Sequence, residues 1–226
     1  MPATRRPAVL FDLDGTLLDS IELILTSAHY AFEGRDRVPT DAEWLAQVGR
    51  PLPDIFRPYA RDDADVDALL VRYREYQLPN HDRLVRAYDG VVETVRGLRA
   101  DGFPLGVVTS KTEVLAQRGI DCVGIGDCFD TLVGFGTTER SKPDPQPVLH
   151  ALEQLDRRPS EGVFVGDSVH DIAAGNAAGV TTVAALWGPF SRADLTPSRP
   201  RHFLDRIADL PQLLATMSTG GSRGST

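Results

Sequence analysis

The chain has 226 residues, 42% hydrophobic and 25% charged, with 32 acids against 24 lysines and arginines for a net charge of −8. That length can bury a substantial core in one large domain or two smaller ones, and the composition suits a globular enzyme or binding protein. The acidic balance argues against a nucleic-acid footprint, which needs a basic stripe, and allows a small anion to bind only where local cations or a bound metal overrule the field.

The chain opens MPATRRPAVLFDLDGT. Acids cut its apolar stretch short, so no secretory signal is expected. No run approaches the roughly 18 apolar residues of a membrane span. The two cysteines, Cys122 and Cys128, have neither disulfide-framework nor zinc-site spacing and are read as thiols of a reducing compartment. The expectation is a cytoplasmic protein without membrane contact, and nothing points to a protein partner.

Ala8 to Phe11 is a short apolar run, the mark of a fully buried strand in a parallel sheet. After it the rhythm changes. SIELILTSAHYAFE (20–33) carries Ile21, Ile24, Leu25, Ala28 and Phe32 at helical spacing, with Ser20 placed to cap. DADVDALLVRYREYQ (63–77) repeats the pattern through Val66, Leu69, Leu70 and Tyr73. Residues 20–87 are therefore expected to form an inserted all-helical domain. From 88 the chain alternates: helical GVVETVRGLRADG (90–102), strands PLGVVTS (104–110) and FDTLVGF (129–135), helical PQPVLHALEQLD (145–156), strand GVFVGDS (162–168), helical VHDIAAGNAAG (169–179) and strand VTTVAAL (180–186). Such alternation predicts an α/β doubly wound parallel sheet built from residues 1–19 and 88–217. The Gly/Ser/Thr-rich end, STGGSRGST (218–226), reads as a flexible tail.

Four strand ends carry polar groups. Side chains alternate along a strand, so Asp12 and Asp14 share a side, and ligands of open α/β sheets bind beyond the carboxyl ends of the strands. Alone, Asp-Gly is equally a turn. Thr109-Ser110-Lys111 closes the second run; its hydroxyl and following N–H could take a phosphate oxygen, or merely cap a helix. Lys142 sits among Pro143 and Pro145, which restrict its backbone, although a lone loop lysine is usually just exposed. Asp167 ends a strand with Asp171 one helical turn on, where an acid also simply complements a helix start. Taken together the plain readings give way. Clustered carboxylates require a cation, all-oxygen ligands select Mg²⁺, and Mg²⁺, hydroxyl and lysine are what a transferring phosphoryl group needs.

DLDGT (12–16), VVTS (107–110), SKPDP (141–145) and GDSVHD (166–171) resemble, in order and rough spacing over essentially the whole chain, the four motifs of the haloacid dehalogenase superfamily, phosphatase branch. The helical insert is similar to that family's mobile cap. The resemblance implies a core of Rossmann type and roles residue by residue. Asp12 would be the nucleophile, forming an aspartyl-phosphate, and Asp14 the acid and base. Thr109, Ser110 and Lys142 would grip the phosphoryl group. Asp12, the backbone carbonyl of Asp14, and Asp167 would hold Mg²⁺, supported by Asp171. Dehalogenases proper do not need the second acid, so Asp14 disfavours that chemistry. A sugar phosphomutase of the superfamily carries a cap histidine where this chain has Ile24, with His29 nearby. Residues 22–33 and 80–111 are most similar to bacterial pyrophosphatases of the superfamily, with phosphoglycolate phosphatases as close relatives. The expected substrate is pyrophosphate or another small phosphorylated metabolite, phosphoglycolate being the alternative.

In QVGRPL (47–52), Arg50 is a candidate for anion recognition from the insert. A phosphorylatable receiver module also combines an acceptor aspartate, Mg²⁺, Ser/Thr and Lys on a doubly wound sheet. It differs in carrying its acceptor on a later strand and in having about half this length.

Overall fold

The computed structural model describes residues 5–220. Ala8–Phe11, buried at every residue, forms β1 in a six-stranded sheet whose strands all run parallel. Its side chains alternate between two buried layers. Val9 and Phe11 join one apolar cluster, Ala8 and Leu10 the other, which is why the strand reads as an unbroken apolar run.

A two-residue strand, β2 (Leu18–Asp19), leads into four helices: α1 (Ile21–Phe32), α2 (Asp41–Leu45), α3 (Leu52–Phe56) and α4 (Asp63–Leu84). β3 (Arg86–Ala87) pairs antiparallel with β2 and returns the chain to the sheet. The two strands form a pair of crossings at the neck of the helical lobe that apolar patterning could not reveal. The lobe has its own apolar cluster, centred on α1 packed against α4. Phe32, Trp44, Phe56 and Tyr73 stack there, with neighbouring ring centroids 5.1–6.3 Å apart.

The remainder alternates: α5 (Val91–Ala100), β4 (Leu105–Val108), α6 (Glu113–Cys122), β5 (Thr131–Val133), α7 (Gln146–Gln154), β6 (Gly162–Gly166), α8 (Val169–Ala178), β7 (Thr181–Ala185), α9 (Arg192–Leu195), β8 (His202–Leu204) and α10 (Leu210–Gly220). The strand order is β5-β4-β1-β6-β7-β8. The chain builds outward from β1 on one side and then on the other, so the carboxyl end of β1 lies at the switch point where such sheets bind ligands.

Three expectations change. β8 was not foreseen because its half-exposed residues show no buried run. The segment read as a flexible tail, 218–226, overlaps the end of α10 at 218–220. Leu210 and Leu214 are fully buried against the main core, and the helix they anchor carries residues 218–220 with it; the rest of that segment lies outside the described residues. Ser20 stands at the N-cap of α1, but its hydroxyl makes no capping bond. It donates instead to Asp14. Among the described residues no helix is long and apolar enough to cross a membrane.

Candidate active site

The loops after β1, β4, β5 and β6 converge. Asp12 follows β1, and its N–H donates to the Val165 carbonyl at 2.9 Å, so its backbone is tied to the neighbouring strand. Lys142, from the loop between β5 and α7, is 3% exposed. Its ammonium donates to Asp12 Oδ1 and Asp171 Oδ1, both at 2.6 Å, and to the Val108 carbonyl at 3.2 Å. Asp12, Asp167 and Asp171 are all buried, and each offers an oxygen within 4.8 Å of the others.

Three carboxylates face one ammonium in a site withdrawn from water. Burial, with Asp171 adding repulsion, pushes the Asp12 carboxyl up to about 7 despite the pull of Lys142. Burial likewise raises Asp167, aided by Asp171 and Asp12. Burial works against charge on Lys142 as well, but attraction to Asp12 and Asp171 outweighs it and holds the ammonium above lysine's usual range. One more cation would satisfy the group.

The donor set suits a hard divalent ion. Asp167 Oδ1 accepts from Thr16 at 2.7 Å, while its Oδ2 is buried without a hydrogen-bond partner among the described residues. Such an orphaned carboxylate oxygen is costly unless a cation takes it. Asp171 differs: Oδ1 is held by Lys142, and Oδ2 accepts from the N–H and hydroxyl of Ser168 at 3.0 and 2.6 Å, closing a capping box on α8. Both carboxylate oxygens of Asp171 are thus already engaged within the protein.

Gly15 belongs to this construction. It adopts φ +84°, and a Cβ there would lie 2.2 Å from Asp167 Oδ2. Gly15→Ala is therefore expected to cost about 1 kcal/mol from the left-handed backbone alone, and more from displacing Asp167. A fall in Tm together with weakened Mg²⁺ binding by titration checks this; loss of neither would remove Gly15 from the site.

Asp14 is not in the carboxylate cluster. Its Oδ1 accepts from Ser20 and from Lys111, which pulls the side chain toward the helical lobe. Thr109 is buried after β4, and its Oγ1 accepts from the Lys111 N–H at 3.2 Å while its proton stays available. Ser110 lines the same space, but its hydroxyl donates to the Gly49 carbonyl at 2.5 Å and bridges core to lobe. Gly49 has φ +98°, and a Cβ on it would meet Ser168 Oγ at 2.7 Å, so the QVGRPL loop is seated against the core. Arg50 from that loop reaches the cavity and donates to Gln47. His29, by contrast, is exposed and paired with Asp41 at 2.6 Å, while Ile24 lines the cavity.

Together these surfaces line a cavity of about 70 Å³ between Asp12, Asp14 and Thr109 below and Arg50, Tyr73 and Arg74 of the lobe above. The structure thus brings Asp12, Lys142, Asp167 and Asp171 into one buried cluster, and Asp12, Asp14, Thr109, Ser110 and Arg50 line the cavity beside it. Sequence reasoning gave no role to Thr16, Lys111 or Arg74. Thr16 braces an aspartate 151 residues away, and Lys111 pairs across 97. Only the adjacency of Lys111 to the Thr-Ser pair could have marked it.

A sequence model of the family "Haloacid dehalogenase-like hydrolase" matches residues 9–185. Pyrophosphatase PpaX of Bacillus cereus strain G9842 is 37% identical over 211 residues, covering 93% of this chain and 97% of its own. The protein of the same name from Bacillus thuringiensis strain Al Hakam is 36% identical with the same coverage. Among solved structures, a hydrolase from Pseudomonas syringae superposes with a TM-score of 0.84 at 19% identity, covering 94% of this chain and 99% of that one. A predicted phosphoglycolate phosphatase from Haemophilus somnus gives 0.82 at 24% identity, covering 93% and 99%.

Proposed function

We propose, because this chain belongs to the haloacid dehalogenase-like hydrolases, that it is a Mg²⁺-dependent phosphohydrolase acting through an aspartyl-phosphate, with pyrophosphate or another small phosphorylated metabolite as substrate. The observation that carries this reading is the buried Asp12–Lys142 pair at 2.6 Å, with Asp167 and Asp171 beside it beneath a lobed cavity. The helical lobe, residues 20–87, is read as the cap.

In this reading an Asp12 carboxylate oxygen attacks phosphorus, and the bond to the leaving oxygen breaks with its electron pair. Asp14, across the cavity, hands that oxygen a proton and later takes one from the water that cleaves the aspartyl-phosphate. Thr109 and Lys142 donate to the equatorial oxygens, as does the backbone N–H of Ser110. The Ser110 hydroxyl, engaged with Gly49, ties the cap loop down instead. Asp12, the Asp14 carbonyl and Asp167 would hold Mg²⁺, which when bound neutralises charge on the phosphoryl oxygens. Holding Asp12 in line contributes roughly 7–11 kcal/mol through positioning.

The name borne by the curated relatives favours pyrophosphate over phosphoglycolate. The cavity wall carries Ile24, and His29 is turned outward and paired with Asp41, which disfavours the cap histidine of a mutase. The test is phosphate release from pyrophosphate, phosphoglycolate, hexose phosphates and nucleotides, ranked by kcat/KM with Mg²⁺ and with chelator. Pyrophosphate is expected to lead and chelator to abolish turnover. Equal, feeble rates throughout would defeat the substrate assignment.

A further inference from the structure

Among apolar residues such as Ile24, Val48, Leu52 and Ile55, the lobe sets a few hydrogen-bond donors on the cavity wall. Arg74, on α4, is half-buried, forms no salt bridge among the described residues, and donates to Gln77 Oε1. Gln77 is itself 2% exposed. With its oxygen engaged, its amide N–H groups are the hydrogen-bonding capacity it has to offer. Trp44 lines the same cavity, is 2% exposed, and its indole N–H is buried without a partner. Burial pulls the Arg74 guanidinium below its usual range, opposed only by attraction to Tyr73 and to Asp14 across the cavity. Here, in a chain with net charge −8, a half-buried guanidinium forms no ion pair among the described residues and faces Asp14 only across the cavity.

Guanidinium, indole N–H and amide N–H₂ donate, and none of them accepts. A sugar or nucleoside leaving group would bring hydroxyl donors that need acceptors, and these three groups supply none. An oxyanion matches such a set of donors, and arginine grips such groups with two parallel bonds. Resting on the phosphohydrolase reading above, we propose that Arg74, Gln77 and Trp44 form a seat for a second oxyanion, carried on the leaving group. The substrate class is thereby narrowed to compact molecules with an anionic group at each end, either a phosphoanhydride or a phosphorylated carboxylic acid. The seat faces Asp14, so the leaving oxygen lies between the proton donor and the charge that steadies it.

The experiment compares kcat/KM for pyrophosphate, phosphoglycolate and methyl phosphate in wild type, Arg74→Met, Arg74→Lys and Trp44→Phe. Arg74→Met is expected to lose ~10- to 100-fold more on the substrate with a second anion than on methyl phosphate. Arg74→Lys should restore part of that selectivity, and Trp44→Phe should lose a smaller share. Whichever of pyrophosphate and phosphoglycolate shows the larger differential loss identifies the second anion as phosphate or carboxylate. Calorimetry of imidodiphosphate and phosphonoacetate on the Asp12→Asn protein with Mg²⁺ reads the seat without turnover. If Arg74→Met does not fold, the Lys and Phe variants carry the same comparison. Equal losses across the three substrates, with unchanged analogue binding, would overturn the seat while leaving the hydrolase intact. Wild type inert on all three with Mg²⁺ would instead defeat the phosphohydrolase reading.

Discussion

Asp12→Asn is expected to lower kcat/KM by about 10⁴-fold or more and, in the metal-free protein, to raise Tm. The first effect follows from chemistry: an amide oxygen cannot form the acyl phosphate, and removing a nucleophile from an otherwise intact site costs of this order. The second follows from charge. Asp12 shares a buried volume with Asp167 and Asp171, and among the described residues Lys142 is the one cation paired there. A neutral amide can still accept from Lys142 while removing one of the repelling charges. For a chain of this size each kcal/mol gained appears as about 2–4 °C. The sign of the pH dependence is fixed by the same residues. Asp12 and Asp167 are raised above the ordinary carboxylate value in the folded state. Between about pH 4 and 7 the folded protein therefore holds protons that the unfolded chain has released, and stability falls as pH rises through that window. Metal-free wild type should lose Tm relative to Asp12→Asn across it, by the equivalent of a few kcal/mol. Mg²⁺ should restore more at pH 8 than at pH 5, because protons compete for the same oxygens. Activity retained above 1% in the variant would remove Asp12 as nucleophile; a lower Tm would refute the charge argument.

Why the acids were readable from sequence, and their partners were not, is a matter of distance along the chain. Ala8 to Phe11 announces a doubly buried strand because both its faces pack on apolar clusters. The next acids must then emerge at the sheet edge, whatever follows. Asp167 is legible for the same reason after β6, and Asp171 because the helical turn places it. Topology then gathers these ends without any contact having to be known. What patterning cannot supply is the pairing of side chains between remote loops. Thr16 reaches Asp167, Lys111 reaches Asp14, and Ser110 reaches the Gly49 carbonyl, each across scores of residues. Ser20 shows the converse failure. Its local context is that of a helix cap, but Asp14 lies within reach in three dimensions and is the better acceptor for its hydroxyl, being a carboxylate. Arg74, Gln77 and Trp44 are likewise spread over two helices and read as ordinary amphipathic positions until the lobe folds over the sheet.

Lys142→Met should be the most destabilising change at the site, and of opposite sign to Asp12→Asn. Lys142 is 3% exposed, and its ammonium holds two carboxylates at 2.6 Å. Removing it leaves two buried acids without their shared counter-ion, a loss of about 3–5 kcal/mol when one partner of a buried pair is taken away. The methionine fills the volume of the lysine stem, so the deficit reports charge rather than a cavity. The penalty should deepen with pH, since the orphaned acids can escape it only by holding protons, and raising the pH strips those protons. Turnover should vanish as well, because the transferring phosphoryl group loses a donor at its equatorial oxygens. The double variant Asp12→Asn/Lys142→Met separates the two effects. With Asp12 neutral, losing Lys142 strands one acid fewer, and the destabilisation should be visibly smaller than in the single variant. Thermal unfolding of the four metal-free proteins at pH 5 and pH 8 measures this. Additive losses, independent of pH, would mean that packing rather than the shared charge holds the pocket together.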